Sequence, residues 1–198
     1  MRGPTVAGQE RRTEILRRAA PLFAQKGISG CTVRDIAEVA GILSGSLYHY
    51  FDSKDTMVSE IVSAYLRSLL ERYEVTMASA VDGRARLHAL ILDSLEASRD
   101  HPHASEIYQG NRGYFAAHEQ CSPTRELATR IFETWQQAIT LGVEEGAFRR
   151  DVNPRVFHRF LRDAVFLAPR WFHPSEAYGI EQLAADTARV FLDGFTAP

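Results

Sequence analysis

Apolar residues recur along this chain with the period of an α-helix, and no stretch shows the alternation that a half-buried strand requires. Glycines and cap–proline pairs, such as Ser122–Pro123 and Asn153–Pro154, separate the helical stretches. The pattern therefore predicts an all-α fold without internal repeats. The nine predicted helices cover residues 9–26, 33–40, 44–51, 53–80, 84–100, 105–118, 123–145, 155–168 and 180–195.

The clearest local pattern is a pair of short helices within residues 32–54. Thr32 precedes the apolar face of VRDIAEVA, where its hydroxyl is placed to accept a hydrogen bond from the first turn. Asp35 puts negative charge at the same helix start. Gly41 ends this helix, because glycine adopts the left-handed conformation of a helix exit at little cost.

A second short helix follows, and we expect Ser44 to cap it. Its Leu47 and Phe51 lie four residues apart and therefore share the buried side. Two short helices joined by a glycine-containing turn are typical of a helix-turn-helix, whose second helix enters the major groove of DNA.

The two short helices and their turn, within residues 32–54, are called the hairpin below, and its small and polar side chains are the candidate DNA contacts. Small residues let the backbone approach bases closely, and Tyr48 and His49 can donate to phosphates. Lys54 follows a cap at Asp52 or Ser53, where a cation opposes the helix dipole, so we expect it to bind phosphate and not to serve the fold. The predicted DNA-binding residues are Thr32, Arg34, Ser44, Gly45, Ser46, Tyr48, His49 and Lys54.

Residues 13–58 resemble the DNA-binding domain of TetR-family transcriptional repressors. The family pattern runs F-x-x-x-G, T-x-x-x-I-A-x-x-A-G, G-[ST]-[LF]-Y-x-[HY]-F and x-x-K-[DE]-x-[LM]. Leu43 departs from the family, in which serine is common at this position, and the exchange predicts altered first base contacts. The matching residues are Phe23, Gly27, Thr32, Ile36, Ala37, Ala40, Gly41, Gly45 to Phe51, Lys54, Asp55 and Met57.

A helical protein-interaction module without DNA binding is the alternative of another class. Such a module would not retard its own upstream DNA in a gel shift at moderate salt. The charge distribution favours the DNA-binding reading: residues 1–58 hold eight basic against six acidic side chains, and residues 59–198 hold fifteen against nineteen. This small excess predicts a few placed phosphate contacts and not a broad positive surface.

Composition sets the remaining boundaries. The 198 residues are 45% hydrophobic and 24% charged, and no apolar run of about eighteen residues is present to span a bilayer. The N-terminus lacks the apolar core of a signal peptide, so we expect a cytoplasmic protein that does not enter a membrane.

We predict three parts: a flexible arm over residues 1–8, a helix-turn-helix DNA-binding domain over 9–58, and a ligand-binding and dimerisation domain over 59–198. Cys31 and Cys121 lie far apart in the chain, and we expect both to be free thiols in a reducing compartment.

No catalytic pattern is present. The chain lacks G-x-S-x-G, G-x-x-x-x-G-K-[ST] and the glycine fingerprint of dinucleotide-binding proteins. A metal site can be drawn on paper, but the spacing of its members fits no pair of ligands on one helix. These members are His101, His103, His118, Glu119 and Cys121. We therefore expect neither an enzyme nor a bound metal or cofactor.

The predicted helix 155–168 carries an apolar stripe that is too wide for one buried face. We expect one surface to pack inside the domain and another against a partner. The TetR resemblance implies a homodimer formed by the last two helices, with recognition helices about 34 Å apart on a roughly palindromic operator. The apolar residues are Val156, Phe157, Phe160, Leu161, Ala164, Val165, Phe166 and Leu167.

The same resemblance implies a pocket for a small apolar effector, whose binding releases the repressor from DNA. Core packing is the alternative role for each aromatic candidate. Arg162 lies in an otherwise apolar segment, where it either pairs with Asp163 or a partner's carboxylate, or binds an anionic ligand with its two-pronged guanidinium. The predicted effector-binding residues are Tyr108, Gln109, Phe115, Trp135, Arg162, Phe166, Arg170 and Trp171.

Three short runs are similar to the ketosteroid-regulon repressors of actinobacteria, which control steroid-ring catabolism and respond to a coenzyme A thioester. The runs are GILSGSLYHYF at 41–51, IYQ at 107–109 and FLRDAVFLAPRWF at 160–172. In that subgroup the motif F-[IL]-R-D-x-x-W-x-x-x-R-W carries the ligand response. Arg162 matches its arginine, whereas Phe166 replaces its first tryptophan. The resemblance implies such a thioester as effector; a fatty acyl-CoA, or another apolar effector of fatty-acid or efflux genes, stays open.

Overall fold

The structure is a computed structural model that describes residues 6–194. Its described residues form α-helices and two short 3₁₀ turns without any β-strand, which confirms the predicted all-α class. The α-helices are α1 Val6–Lys26, α2 Val33–Ala40, α3 Ser44–Leu47, α4 Lys54–Ser79, α5 Gly83–Asp100, α6 Pro102–Gly110, α7 Arg112–Ala117, α8 Ser122–Glu144, α9 Pro154–Phe166 and α10 Ile180–Asp193.

Ten α-helices within residues 6–194 stand where nine were predicted, because the sixth predicted helix is two. Asn111 separates α6 from α7 with φ −131° and ψ 31°, outside the helical region. Gly110 and Gly113 flank this break, and two glycines weaken a helix at the point where it must continue. Pro102 begins α6, so this helix starts three residues before the predicted range of 105–118.

The first helix begins earlier than predicted. Residues 6–8 of the predicted flexible arm belong to α1, whereas residues 1–5 of that arm lie outside the described part of the chain. Pro21 lies inside α1 without ending it, in agreement with the predicted helix over residues 9–26.

Local capping signals fixed several helix ends as predicted. Asn153 accepts hydrogen bonds from the backbone N–H of Arg155 at 2.9 Å and of Val156 at 3.4 Å, and Pro154 occupies the first helical position of α9. Gly27 follows α1 with φ +73°. Each of these ends depends on residues that are neighbours in the sequence, so a local pattern was sufficient to find them.

The contacts divide the chain into two units. Unit 1 comprises Met1–Tyr65 and His103–Glu126, and unit 2 comprises Leu66–Pro102 and Leu127–Pro198. The predicted functional boundary between residues 58 and 59 stays a prediction.

The core of unit 1 fixes the helix-turn-helix on α1. The apolar faces of α1 and α2 are fully or almost fully buried, and the inward side chains of residues 44–51 are buried with them. Burial of each isoleucine, leucine or phenylalanine among them stabilises the unit by about 1.5–3 kcal/mol, and each alanine contributes less. These residues are Ile15, Ala19, Phe23, Ile36, Ala37, Ala40, Leu47 and Phe51.

Unit 2 is centred on α5, which packs on α9 and α10. Its core contains Leu87, Leu90 and Ile91 of α5, all fully buried. Tyr73 and Trp135 meet edge to face, with ring centroids 6.0 Å apart.

Candidate nucleic-acid interface and effector region

The start of α2 is held by a reciprocal cap. The Thr32 hydroxyl accepts from the backbone N–H of Asp35 at 3.1 Å, and the Asp35 carboxylate accepts from the Thr32 N–H at 2.9 Å and from its hydroxyl at 2.8 Å. These bonds, the backbone one first, hold the pKa of Asp35 below its usual range. The predicted cap at Thr32 is therefore confirmed, and its exposed side chain is held in one orientation.

The turn after α2 has the glycine exit that the sequence predicted. Gly41 has φ +66° and ψ +40°, its N–H donates to Glu38 O at 3.1 Å, and Ile42 N–H donates to Ala37 O at 3.0 Å. This pair of bonds ends the helix in the left-handed conformation that suits glycine. The turn thereby sets the direction in which α3 leaves α2.

The recognition segment, residues 44–51, contains less regular helix than predicted. Regular helix covers only Ser44–Leu47, and the chain then continues through turns to Phe51. The predicted cap by Ser44 is wrong, since Ser44 is the first helical residue and Leu43 takes the N-cap position without a side-chain cap. Gly45 and the shortness of the segment explain why regular helix ends at Leu47, because a single helical turn gains few internal hydrogen bonds.

The predicted DNA-binding side chains are mostly accessible in unit 1. Tyr48 is 59% exposed, whereas its neighbour Leu47 is buried, so the segment presents the tyrosine outward. Within the described residues, the side chains of Arg34, Tyr48 and His49 form no hydrogen bond or ion pair. Six of the eight predicted residues are exposed, namely Thr32, Arg34, Ser44, Gly45, Tyr48 and His49, whereas Ser46 and Lys54 are half-buried.

Lys54 departs from the expectation that it has no structural role. Its Nζ donates to the carbonyl oxygens of Ile28 at 2.8 Å and Cys31 at 2.9 Å, which ties the α1–α2 connection to the start of α4. Two charge-assisted hydrogen bonds contribute about 1.5–3 kcal/mol each, which exceeds the roughly 0.3–1 kcal/mol that a cation costs near a helix N-terminus. The contact joins residues far apart in the chain, so spacing alone did not predict it.

Arg12 belongs to this region but is not among the eight predicted DNA-binding residues. Its guanidinium lies 4.2 Å from the centroid of the Phe51 ring and pairs with Glu60, with Nε 3.0 Å from Oε2. It therefore packs on the end of the recognition segment by a cation–π contact. Ser53 caps α4, accepting from Thr56 N–H at 3.0 Å, as one of the two predicted caps.

Hydrogen bonds attach the segment of residues 103–126 to α4 within unit 1. The Tyr114 hydroxyl donates to the Asp55 carboxylate in the first turn of α4, and the His118 ring stacks on Tyr114 with centroids 3.9 Å apart. Burial, followed by the bond to Asp55, raises the pKa of Tyr114, so the phenol keeps its proton. Thr124 is fully buried and lies 3.0 Å from the hydroxyls of both Ser59 and Ser63.

Three of the predicted effector residues belong to unit 1. Tyr108 and Phe115 are in contact, with ring centroids 5.6 Å apart, and Tyr114 meets Phe115 at 5.9 Å. Phe115 is buried, whereas Tyr108 and Gln109 are half-buried. Arg125 holds this segment by donating to the carbonyl oxygens of Phe115 at 3.1 Å and His118 at 2.6 Å.

The other five predicted effector residues belong to unit 2. Trp135 is fully buried, and its indole N–H donates to the Tyr73 hydroxyl at 2.9 Å, so the indole nitrogen is already satisfied. Arg162 forms an ion pair with Asp163, with Nε 2.8 Å from Oδ1. Phe166 is buried, whereas Arg170 and Trp171 are exposed.

A cavity in unit 2 lies apart from these predicted residues. Its volume is about 430 Å³, and none of the eight predicted effector residues contributes to its wall. The lining residues are Ile139, Val143, Ala147, Phe148, Arg149, Val152, Pro154, Phe157, Phe191, Leu192, Asp193 and Gly194.

Part of the apolar stripe of α9 faces outward. Val156 is 49% and Phe160 is 66% exposed, whereas Leu161 and Val165 are buried. The helix therefore has an apolar inner surface and an apolar outer surface, as the width of the stripe predicted.

The remaining candidate features of the described residues are a metal site, the two cysteines and a membrane-spanning helix. No group of three or more His, Cys, Asp or Glu side chains in residues 6–194 is arranged to hold a metal ion. Both cysteines are buried free thiols, and burial raises their pKa, which makes them poor nucleophiles. Across the same residues, no helix has both the length and the apolar character needed to cross a membrane.

Known proteins resemble both parts of this chain. The family model "Bacterial regulatory proteins, tetR family" matches residues 15–61, and "Tetracyclin repressor-like, C-terminal domain" matches residues 80–195. The HTH-type transcriptional repressor KstR2 of Rhodococcus jostii is 43% identical over 188 residues, which cover 95% of this chain and 92% of that protein. KstR2 of Mycobacterium tuberculosis is 37% identical over 193 residues, or 96% of each chain.

The solved structure of the ketosteroid transcriptional regulator KstR2 of Mycobacterium tuberculosis has the same fold. Its TM-score is 0.83 at 36% identity, and the match covers 95% of this chain and 96% of that one. The predicted resemblance to the ketosteroid-regulon repressors is therefore confirmed.

Proposed function

Because this chain belongs to the TetR family of bacterial regulatory proteins and not to a family of enzymes, we propose that it acts in the cytoplasm as a homodimeric repressor. The ligand-free dimer binds a palindromic operator and blocks transcription, and a small apolar, anionic effector releases it. The observation that carries this proposal is the exposed surface of α2 and residues 44–49, held in place by the reciprocal cap at Thr32 and the exit at Gly41.

The exposed outer surface of α9 supports the homodimer. Val156 and Phe160 lie one helical turn apart, so both side chains project from the same face. Covering such a face with a second copy removes apolar area from water at about 25 cal/mol per Å². Twofold symmetry then presents two recognition segments to successive major grooves, and a roughly palindromic operator follows.

The relatives support an effector related to ketosteroids, and the motif resemblance described above implies that it is a coenzyme A thioester from steroid-ring breakdown. Two of them are named KstR2, one described as a ketosteroid transcriptional regulator, and this chain keeps Arg162 of the corresponding motif. Phe166 in place of tryptophan supports a second candidate, a fatty acyl-CoA, since the buried ring stays apolar but offers no indole N–H. Both candidates combine an apolar acyl group with an anionic carrier.

Arg162 is able to exchange its protein partner for such an anion. Its present partner, Asp163, is the next residue in the chain and is 49% exposed, and a pair of this kind contributes about 0–1 kcal/mol. A charge-assisted bond to a ligand phosphate or carboxylate contributes about 1.5–3 kcal/mol, and a guanidinium can form two. The exchange therefore favours the ligand whenever the anion reaches the guanidinium.

Within unit 1, a chain of contacts leads from the predicted effector residues to the DNA-binding hairpin. Phe115 touches Tyr114, whose hydroxyl bonds Asp55 in the first turn of α4. The preceding residue, Lys54, holds the carbonyl oxygen of Cys31 directly before the Thr32 cap. An effector that displaces Phe115 would thus shift the start of α4 and the hairpin together. The effector and the operator DNA would each favour one of the two positions of these elements.

A gel shift with the DNA upstream of the chain's own gene tests the proposal. The wild type should retard this DNA, and micromolar steroid-derived or fatty acyl-CoA thioesters should release it, whereas the free acids should be weaker. Arg162→Ala should bind DNA normally and need at least tenfold more thioester, because the anion loses its guanidinium partner. Arg159→Ala, an exposed arginine on the same helix, is the matched control and should respond like the wild type. Equal loss of DNA binding and release in Arg162→Ala would mark a structural arginine.

Tyr114→Phe tests the transmission step separately. The variant keeps the ring and its stacking on His118 but loses the bond to Asp55, so thioester binding should persist while release from DNA weakens several-fold. Titration calorimetry measures the first quantity, and fluorescence anisotropy of labelled operator measures the second. Unchanged release by the thioester would remove Tyr114 from the coupling.

A further inference from the structure

Leu43 is an exposed apolar side chain at the entrance of the recognition segment. It takes the N-cap position of α3 with extended backbone, φ −73° and ψ 144°, and is 80% exposed. Its neighbours Ser44 and Gly45 are exposed and small, so nothing in the segment covers the leucine.

Folding does not explain a leucine at this position. An N-cap is the place where serine, threonine, asparagine or aspartate stabilises a helix by accepting from its free N–H groups, and leucine cannot. Leu43 makes no side-chain cap, and its exposed side chain adds little to the core. The position thus forgoes a stabilising residue and keeps an apolar group in water.

The chemistry of the major groove supplies a reason. Residues at the N-terminal end of a recognition helix contact base edges. These edges present hydrogen-bond donors and acceptors together with one apolar group, the C5 methyl of thymine. Leucine has no donor or acceptor, so the methyl is the group that it can recognise. The Tyr48 hydroxyl and the His49 ring nitrogens are suited instead to phosphates and to the polar groups of base edges.

We propose that Leu43 is a specificity-determining residue that reads the C5 methyl of one thymine in each half of the operator. The inference rests on the proposed function, because it needs the α2–α3 hairpin to dock in the major groove. Covering one methyl group changes affinity by about fourfold, so two half-sites together should contribute about fifteenfold.

Deoxyuridine tests this inference, because it lacks the methyl of thymidine but keeps the same hydrogen-bonding edge. The operator is first selected from a pool of random duplexes with the full-length wild-type protein. Each thymidine is then replaced in both half-sites, and binding is measured by fluorescence anisotropy for wild type, Leu43→Ala and Val39→Ala. Val39 is a partly exposed apolar residue of α2 and serves as the matched truncation.

The wild type and Val39→Ala should lose about fifteenfold in affinity at one symmetric pair of thymidines, and Leu43→Ala should bind both duplexes equally. Thermal unfolding should show all three proteins equally folded, since Leu43 is exposed. A protein that selects an operator but shows no deoxyuridine effect, or an effect that persists in Leu43→Ala, overturns this inference alone. A wild type that retains no duplex overturns the proposed function, and the role of Leu43 with it.

Discussion

The DNA-binding hairpin and the aromatic core of unit 2 use the same kind of side chain in opposite ways. Tyr48 of the hairpin is 59% exposed, and its hydroxyl has no partner among residues 6–194. Tyr73 of unit 2 is fully buried and relays a chain of hydrogen bonds from the Trp135 indole to the Ser94 hydroxyl, at 2.9 and 2.5 Å, and on to Leu90 O. The Tyr48 hydroxyl is therefore available to an external partner, whereas the Tyr73 hydroxyl is used in hydrogen bonds within the fold.

This difference shows what an aromatic residue in a helical pattern can be used to predict. Periodicity indicated that Trp135 faces inward, and both core packing and an effector pocket require that. The hydrogen bond to Tyr73 favours the core, because an indole N–H that the protein already satisfies offers nothing polar to a ligand. Any role of Trp135 in effector binding therefore stays a prediction about its ring alone.

The largest expected effect comes from Trp135→Ala, which tests the core side of the comparison. Removing a fully buried tryptophan and the donor to Tyr73 should lower the free energy of unfolding by about 3–5 kcal/mol. Guanidinium denaturation followed by circular dichroism measures the loss. A variant that keeps wild-type stability but no longer responds to the effector would place Trp135 in a pocket and end the contrast with Tyr48.

Lys54→Met should have a smaller effect on folding, about 2 kcal/mol, because the carbonyl oxygens of Ile28 and Cys31 lose their donor while the aliphatic stem is kept. Arg34→Ala is the control for removal of a basic side chain, since this exposed arginine forms no hydrogen bond or ion pair within residues 6–194. It should weaken binding to all DNA sequences alike and reduce the salt dependence by about one phosphate contact. If Lys54→Met leaves the free energy of unfolding unchanged, the two contacts of Lys54 do not stabilise the fold. Phosphate binding then becomes the expected role of this residue again.

Thr32→Ala should have the smallest effect, about 1 kcal/mol, because the N-cap hydroxyl of α2 is lost. The folded-state pKa of Asp35 is depressed, so the stability linked to its charge is fully present above the unfolded pKa of about 3.9 and is lost as pH falls through the lower folded value. The hydroxyl of Thr32 contributes to that depression. The difference between wild type and variant should therefore narrow on acidification below about pH 4. Thr32→Ser keeps the hydroxyl and should behave as wild type; a difference that widens in acid would contradict the cap.

The sequence predicted the hairpin at the level of single residues where the cause was local. The cap at Thr32, the exit at Gly41 and the cap at Ser53 each involve residues within five positions of one another. The length of α3 was predicted wrongly, because the apolar spacing of Leu47 and Phe51 fits a helix and also fits the turns that the chain adopts there.

Contacts between distant residues were not available to that reasoning. The bonds from Lys54 to Ile28 and from Tyr114 to Asp55 join positions that no period or motif connects. The break at Asn111 lies between these two cases: Gly110 and Gly113 weaken a helix locally, but the sequence does not show where the helix ends.

By itself, the sequence determined the family, the all-α fold and the polar face of the hairpin, since periodicity, capping and motif spacing are carried by neighbouring residues. The tertiary structure alone decided which polar atoms are left for a partner. Lys54 and Trp135 carry donors that look free in the sequence and are used within the fold, whereas Leu43 is left exposed at the entrance of α3. The physical reason is that a hydrogen-bond donor is satisfied by whatever acceptor the folded chain brings near it, and that acceptor can lie anywhere in the sequence.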